Sequence, residues 1–266
     1  PTASPPADGA PRRFYDNDGL RLATLDAEGC LAESRYDAEG RLVTQVSYAT
    51  ATTAALRATG TLAQLIPAAN AQDQTSRWLY DAQGRVLAQI DAEGYMTENV
   101  YDGNGNVTSS TRYVVRVDAT LLSQMTTATT VAALRPASSA GFQTTALVYD
   151  KLNRVTQRTN HEGTVSRYEY DSVGNLVKTT NAVGTTEVQT INARYDLQGR
   201  LTGELTAEAG ALLVAGQTQA QIDAIWSQYG LTHAYDAAGR RLGTTEAYGN
   251  RTLFFYDLNG RLTPSV

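Results

Sequence analysis

One short phrase recurs along the whole chain: Tyr-Asp-x-x-Gly-Arg-Leu, or a close variant of it, as in Tyr36–Leu42. A fixed period of about 20 residues is typical of repeat proteins, in which each unit buries its apolar surface on neighbouring units. The spacing therefore predicts an array of small units rather than one globular core. Four pairs of tyrosines share this spacing: Tyr15 and Tyr36, Tyr80 and Tyr101, Tyr149 and Tyr170, and Tyr235 and Tyr256.

A weaker copy of the phrase lies halfway between the tyrosines of each pair. Leu25–Gly29 and Ile90–Gly94 hold equivalent places after Tyr15 and Tyr80, and both keep the Asp-Ala-Glu-Gly core. The later pairs carry more degenerate versions of it. The repeating unit is therefore half of the tyrosine period, and it consists of an extended segment followed by a four-residue turn.

The residue types of the phrase predict its turn. Aspartate accepts a hydrogen bond from the backbone two residues on, and glycine supplies a positive φ without steric cost. This combination suits a type I turn followed by a left-handed residue, which closes many β-hairpins. Asn153 replaces the glycine in one copy, and asparagine tolerates the left-handed conformation better than other non-glycine residues do. The predicted turn residues are Tyr15, Asp16, Gly19, Tyr36, Asp37, Gly40, Tyr80, Asp81, Gly84, Tyr101, Asp102, Gly105, Tyr149, Asp150, Asn153, Tyr170, Asp171, Gly174, Tyr195, Asp196, Gly199, Tyr235, Asp236, Gly239, Tyr256, Asp257 and Gly260.

The segments between the turns have strand composition. Arg41–Tyr48 and Asn175–Thr180 are rich in β-branched and aromatic residues, with partial alternation of apolar and polar positions. Together with the turns they predict an all-β fold, a repetitive antiparallel β-hairpin strip with short helical inserts.

Three longer gaps between tyrosines predict the helical inserts, near 50–71, 117–137 and 215–230. Asp118 suits the N-cap of the second insert and Thr218 that of the third. In the third insert Ile222, Ile225, Trp226 and Tyr229 recur at helical spacing, and Gly230 follows as a stop signal. Two interpretations of the inserts stay open: they cover apolar surface of the sheet, or they form a docking surface for a partner.

Composition limits the classes of partner. The net charge of −5 and the pI near 5.1 argue against nucleic acid as the main partner. The sequence has no apolar run long enough to cross a bilayer as a helix, so no membrane span is predicted. The Pro/Ala-rich segment 1–12 is predicted to be a linker or disordered edge, with repeats over 13–266. Both ends of the sequence suggest a piece of a longer polypeptide.

The sequence offers no recognisable catalytic, cofactor or metal site. His161 and His233 are the two histidines, and neither has a second histidine or a cysteine at zinc-ligand spacing. Asp102–Asn106 matches the start of a calcium-binding loop, but Val107 and Tyr113 stand where that loop needs Gly and Glu. The lone cysteine, Cys30, is predicted to be a buried thiol in a strand.

Stacked hairpins would place equivalent residues in rows along one edge of the sheet. Aspartates such as Asp37 and arginines such as Arg41 are expected to form neighbouring rows that pair with each other. The tyrosines are expected to stack as an aromatic ladder. An alternative interpretation is a sugar-binding stripe of tyrosines.

The periodic phrase resembles the RHS repeat, also called the YD repeat, from about Arg13 to Thr263 apart from the inserts. The resemblance implies a β-sheet strip that spirals into a hollow shell, as in bacterial toxin complexes, RHS polymorphic toxins and teneurins. In the bacterial proteins the shell encloses a toxic C-terminal domain. The Asp-Pro dipeptide of the autoproteolysis element that ends many bacterial RHS cores does not occur here, so that activity is not implied.

These observations predict a structural, non-catalytic segment without a cofactor. By its resemblance to the RHS repeat, it would form part of the wall of a large secreted or surface bacterial protein that encloses or presents a toxin or effector domain outside this sequence. Its partners would be the rest of the parent polypeptide or the enclosed domain. Two alternatives stay open: a carbohydrate-binding adhesin module that holds glycans, and an assembly unit that self-associates through β-edges.

Overall fold

The structure is a computed structural model, and it describes residues 2–3, 11–126, 128–136 and 141–263. The chain divides into two compact units, Pro1–Thr145 and Ala146–Val266.

The first unit is an antiparallel sheet in which each strand pairs with the strand that follows it in the chain. Its described strands are β1 (Thr2–Ala3), β2 (Arg12–Tyr15), β3 (Arg21–Leu25), β4 (Leu31–Tyr36), β5 (Leu42–Ser47), β6 (Gln74–Tyr80), β7 (Val86–Ile90), β8 (Tyr95–Tyr101) and β9 (Val107–Arg116).

The second unit repeats this arrangement. Strand β10 (Phe142–Tyr149) starts before the unit border, and its residues Ala146–Tyr149 pair with β11. Successive strands pair from there to β18, and the last two strands form a separate hairpin. The strands are β11 (Val155–Thr159), β12 (Val165–Tyr170), β13 (Leu176–Asn181), β14 (Gln189–Tyr195), β15 (Leu201–Leu205), β16 (Leu231–Tyr235), β17 (Arg241–Thr245), β18 (Arg251–Leu253), β19 (Phe255–Tyr256) and β20 (Leu262–Thr263).

Within each unit the fold is the predicted antiparallel hairpin strip with short helices. Because consecutive strands are antiparallel, their turns fall alternately on the two edges of the sheet. The tyrosine turns therefore share one edge, and the weaker copies such as 26–29 and 91–94 lie on the other. This alternation explains why the strong phrase repeats at twice the length of the unit.

The inserts replace weak turns, so they leave each sheet at the edge opposite the tyrosine turns. We define them as insert 1 (48–73), insert 2 (117–141) and insert 3 (206–230). Their helices are a 3₁₀ turn at Ala54–Leu56, α1 (Leu62–Leu65), α2 (Ala119–Ser123), α3 (Val131–Leu134), α4 (Ala207–Gly210) and α5 (Gln219–Tyr229).

Each insert covers apolar side chains on one face of the hairpins. In insert 1, Leu65 is buried against Phe14, Leu25 and Leu31. The backbone N–H of Thr52 donates to Gly29 O at 2.8 Å, which ties the start of the insert to the preceding weak turn.

Insert 2 covers the second half of the first unit in the same way. Leu134 is buried against Ile90 and Met96, which hold the places that Leu25 and Leu31 hold in the first half. The Val117 N–H donates to Gly94 O at 2.9 Å, the equivalent of the tie at Thr52.

Insert 3 covers the second unit with its longest helix. Trp226 of α5 packs with Leu205 and Ala209, and Ile222 and Ile225 pack against this group. Tyr229, the fourth position of the predicted apolar face, is instead exposed. The indole approaches Gly203 closely: a Cβ there would lie 3.1 Å from the ring, so a larger residue would require the ring to shift by a few tenths of an ångström.

The capping signals act where the sequence places them, but the helices of inserts 1 and 2 are single turns. The Asp118 carboxylate accepts from Thr120 N, and the Thr218 hydroxyl accepts from Gln221 N. Insert 3 also holds α4, which the sequence analysis did not predict. Such short helices form because packing on the sheet stabilises them, since isolated single turns are not stable in water.

Two predictions concern the start of the chain: a linker and a buried cysteine. Residues 1 and 4–10 of the predicted linker lie outside the described residues, whereas Thr2–Ala3 pair with β2. The prediction of a buried Cys30 in a strand is wrong: the residue is exposed at the end of a weak turn. Its N–H donates to the Asp26 carboxylate at 2.7 Å, and the negative charge of Asp26 raises the pKa of the thiol.

We predict that Leu65→Ala lowers the free energy of unfolding of the first unit by about 2–5 kcal/mol, because it opens a cavity under insert 1. Urea unfolding followed by far-UV circular dichroism measures the loss. The matched control is Leu258→Ala at a fully exposed turn position, which we expect to change the value by less than about 0.5 kcal/mol. Equal effects of the two substitutions would contradict the role of insert 1.

Candidate functional site

The tyrosine turns are the repeated polar feature of both units, and the turn after Tyr80 shows their geometry. The Asp81 carboxylate oxygen Oδ1 accepts from the backbone N–H groups of Gln83 and Arg85, each at 2.9 Å. Gly84 N–H donates to Asp81 O at 3.0 Å, and Gly84 has φ 79°. The aspartate thus holds the turn from inside while glycine takes the left-handed position. Asn153 takes the same position with φ 60°.

The arginine after the glycine forms an ion pair inside its own turn. Arg85 Nε lies 2.6 Å from Asp81 Oδ2. The expected pairing between neighbouring turns is therefore wrong, because the turn itself already brings the two side chains together. Where asparagine replaces arginine, its amide makes the same contact: Asn175 Nδ2 donates to Asp171 Oδ2 at 2.8 Å. The equivalent pairs are Arg41–Asp37, Arg154–Asp150, Arg200–Asp196, Arg240–Asp236 and Arg261–Asp257.

The same arginine also contacts the next tyrosine turn of its unit. The Arg85 guanidinium carbon lies 4.5 Å from the centre of the Tyr101 ring, and Arg85 Nη1 donates to Asp102 O at 3.4 Å. A guanidinium over an aromatic face gains electrostatic attraction from the ring. The equivalent arginine–ring contacts are Arg41–Tyr80, Arg154–Tyr170, Arg200–Tyr235 and Arg240–Tyr256.

The tyrosine hydroxyl completes the contact from the other side. Tyr101 Oη donates to Val86 O at 2.8 Å, and Val86 directly follows Arg85. We call the combination of this hydrogen bond with the arginine–ring contact the tyrosine–arginine contact. The equivalent hydroxyl bonds are Tyr36–Arg21, Tyr80–Leu42, Tyr170–Val155, Tyr195–Leu176, Tyr235–Leu201 and Tyr256–Arg241.

The tyrosine–arginine contact replaces the expected ladder of stacked tyrosines. Consecutive tyrosine turns lie two strands apart, about 10 Å at the usual strand spacing, which is too far for ring-on-ring stacking. An arginine from the preceding turn fills this distance. The ring of Tyr80 or Tyr101 thus has a guanidinium on it and a bonded hydroxyl.

Hydrogen bonds lower the pKa of turn aspartates such as Asp150 and Asp196. The backbone N–H of Arg154 and then its side chain hold the pKa of Asp150 below its ordinary value of 3.8. The backbone N–H of Arg200 is the largest cause of the lowered pKa of Asp196; burial opposes it, and the Arg200 side chain adds to it.

A second repeated polar group lies beside the inserts, and the sequence analysis missed it. Tyr113 Oη donates to Glu98 Oε2 at 2.9 Å, and Arg135 of insert 2 pairs with the same carboxylate. Their equivalents in the first half of the unit, Tyr48 and Glu33, make the same bond at 2.5 Å. Burial, followed by this bond, raises the pKa of Tyr48 to about 12. The recurrence of a glutamate and a tyrosine at one fixed separation in both halves is the sequence signal that would have found the pair.

The remaining candidates from the sequence are engaged in turns and strands. His161 lies in a weak turn, and His233 of β16 contacts the Thr244 hydroxyl at 3.1 Å. Asp102 of the calcium-like fragment accepts from Asn104 N and Asn106 N. Over residues 11–126, 128–136 and 141–263, no cluster of three His, Cys, Asp or Glu side chains is arranged to hold a metal ion. None of the helices in these ranges has the length and apolar character needed to cross a membrane.

Comparison with known proteins also points to the tyrosine turns. The RHS Repeat family model matches residues 80–113 and 149–186, two segments that each begin at a turn tyrosine. The chain therefore carries RHS repeats over these two segments. A stretch of 125 residues is 30% identical to the tRNA3(Ser)-specific nuclease WapA of Bacillus spizizenii, covering 41% of this chain and 5% of that protein.

Solved structures share the fold at low sequence identity. The crystal structure of TcdB2-TccC3-Cdc42 matches 96% of this chain with a TM-score of 0.63 and 15% identity. The Photorhabdus luminescens Tc holotoxin pore carrying the TccC3 mutation D651A matches 95% with a TM-score of 0.62 and 16% identity. This chain spans 11% and 12% of those two chains, so the matches show a shared fold and nothing about partners.

We predict that Arg85→Ala lowers the free energy of unfolding of the first unit by about 1–2 kcal/mol, because it removes the ion pair inside one turn and the arginine–ring contact to the next. Urea unfolding measures the change. The control is Arg13→Ala, an exposed arginine of β2 without an ion pair in the described part of the chain. We expect this control to lose less than about 0.5 kcal/mol. A comparable loss in both variants would refute the contact's contribution.

The depressed pKa values predict a loss of stability in acid. Because the pKa of Asp150 is lower in the folded than in the unfolded chain, its contribution is complete above about pH 4 and disappears as the pH falls through the folded pKa. Asp150→Asn keeps an acceptor for the turn but does not titrate, so its unfolding midpoint should fall less steeply between about pH 5 and 2. Thermal unfolding across this range measures the two slopes, and parallel slopes would contradict the assignment.

Proposed function

We propose that this chain is a structural segment in the wall of a large secreted or surface-displayed bacterial protein, and that the wall encloses or presents an effector domain. The observation that carries the proposal is the tyrosine–arginine contact, which joins a turn to the next one at Tyr80, Tyr101, Tyr170, Tyr235 and Tyr256. Such a contact transmits the same geometry along a sheet of many strands and suits a continuous wall. The bacterial origin of the similar proteins, among them a nuclease and a holotoxin, supports the setting.

We further propose that this segment contributes no catalysis. The carboxylates that recur most often, such as Asp81 and Asp196, are occupied by backbone N–H groups and an arginine of their own turn. A general acid or base needs a proton within reach of a substrate, whereas these groups are fixed by the turn. The nuclease activity of the WapA relative is a property of that protein, of which this chain matches 5%.

The inserts have a packing role in this proposal. They cover the apolar side chains of the sheet face around Leu31, Met96 and Leu205. Without them, this face would expose contiguous apolar surface, which favours aggregation. The alternative of a docking surface for an outside partner is thus not needed to explain their apolar residues.

The proposal is tested on the intact parent polypeptide with its effector domain by limited proteolysis. We expect the effector to be protected in the parent and cleaved rapidly as an isolated domain. The triple variant Arg85→Ala, Arg154→Ala, Arg200→Ala weakens three tyrosine–arginine contacts and should increase the cleavage rate at least about 10-fold.

The matched control removes the same charge without touching these contacts. It carries Arg13→Ala, Arg158→Ala and Arg167→Ala, three exposed strand positions, and should leave protection unchanged. An effector that is cleaved equally fast in the parent and in isolation would refute enclosure.

A further inference from the structure

A large groove lies in the first unit on the face that carries the inserts. Its volume is about 1660 Å³, above the ~300–1,000 Å³ typical of sites for small ligands. The end of insert 1, at 69–73, forms one wall, and 116–126 with 128–131 form the other. Strands β5 and β6 contribute to its floor.

The floor carries a row of polar side chains. Arg35 lies opposite Thr44, and Thr44 lies opposite Arg77 in the next strand. Thr75 is two residues before Arg77 and therefore points to the same face. Directly opposite residues have Cβ atoms about 4.5–5.5 Å apart, so Thr44 is a close neighbour of Arg77. Thr75, which is opposite Val46, lies beside both on the same face.

Arg12 is the equivalent of Arg77, and its contacts show which hydrogen-bond acceptors an arginine at this position uses. Arg12 holds the same place in the first half of the unit, opposite Leu25 as Arg77 is opposite Ile90. Arg12 is buried and donates to the carbonyl groups of Arg57 and Gly60 in insert 1. Insert 1 thus satisfies the first arginine of the repeat.

Insert 2 provides no such acceptors for Arg77, the second arginine of the repeat. In the described part of the chain, the Arg77 side chain has no hydrogen bond or ion pair, and neither has the hydroxyl of Thr44 or Thr75. Burial and the positive charge of Arg35 lower the pKa of Arg77. Five carboxylates also line the groove: Asp37, Glu39, Asp73, Asp91 and Glu93. Asp73 is occupied by Ala49 N and Asn70 N, each at 2.8 Å. Asp37 and Glu39 pair with Arg41, and Asp91 pairs with Arg112. The groove therefore contains a half-buried guanidinium that has no counter-ion among the described residues.

We propose that the groove binds an acidic oligosaccharide and that Arg77 receives a uronate carboxylate of it. A guanidinium binds a carboxylate through two parallel hydrogen bonds, and the hydroxyls of Thr44 and Thr75 can donate to the carboxylate or exchange bonds with sugar hydroxyls. This site goes beyond the wall function and does not depend on it.

The floor favours a saccharide over an extended peptide. Strand β5 is paired on both sides by β4 and β6, and β6 by β5 and β7. No backbone edge is therefore free on the floor to add a peptide strand, and recognition must come from side chains. Tyr48 also lines the groove and offers aromatic surface to a sugar ring. The stripe of turn tyrosines is less suited, because rings such as those of Tyr80 and Tyr101 already have a guanidinium on one face and a bonded hydroxyl.

The test is isothermal titration calorimetry of the whole chain with tetragalacturonate, maltotetraose and tetraglutamate. We expect tetragalacturonate to bind and the neutral maltotetraose to bind at least about 10-fold more weakly. Arg77→Ala should weaken tetragalacturonate binding at least about 10-fold, and Arg77→Lys should fall between the two because an ammonium group lacks the planar fork. Arg158→Ala, an exposed arginine outside the groove, should bind like the unaltered chain.

Three results would overturn the proposal: no binding of tetragalacturonate, equal binding of the neutral sugar, or tighter binding of tetraglutamate than of the uronate. Thermal unfolding of each variant separates a lost site from a lost fold. Thr44→Val with Thr75→Val provides an independent variant that keeps the volume and the charge, and it should weaken tetragalacturonate binding several-fold. Unchanged affinity in both this variant and Arg77→Ala would place the ligand elsewhere.

Discussion

The tyrosine–arginine contact is the interaction on which the rest of the structure depends. A hairpin by itself fixes its two strands, but it does not fix the next hairpin. In most tyrosine turns that precede another, an arginine closes its own turn through an aspartate and also covers the tyrosine ring of the next turn. That tyrosine returns a hydrogen bond to the carbonyl after the arginine, as Tyr101 does to Val86. Register therefore passes from one hairpin to the next on the edge that carries the tyrosine turns.

The two edges of each sheet have different tasks for this reason. Tyrosine turns keep the same length because the contact needs a fixed geometry, whereas weak turns tolerate replacement by a whole insert. Inserts accordingly begin only on the edge opposite the tyrosine turns, where Thr52 and Val117 are bonded back to a weak-turn glycine. The apolar residues that an insert brings, such as Leu65 and Leu134, complete the buried clusters of the first unit.

Particular residues show how far sequence reasoning extends. The phrase around Tyr80 predicts its turn because aspartate, glycine and a tight turn are a local combination. The same reasoning predicts neighbouring rows of aspartate and arginine but not that the ion pair closes within the turn, which depends on side-chain reach. It places Cys30 in a strand, although β4 begins only at the next residue. It overlooks Glu98 and Tyr113, which meet only when β8 pairs with β9.

The sequence by itself determined the period, the turn type, the alternation of strong and weak turns and the positions of the inserts, because each follows from contacts between residues close together in the chain. The tertiary structure decided which polar side chains of the described residues have hydrogen-bond or ion-pair partners and which have none. Arg12 and Arg77 hold the same place in the two halves of the first unit and cannot be distinguished by local sequence. They differ because carbonyl groups of insert 1 reach Arg12, whereas insert 2 leaves Arg77 facing a groove. The fold of an insert, rather than the repeat, therefore sets where this protein has a free binding group.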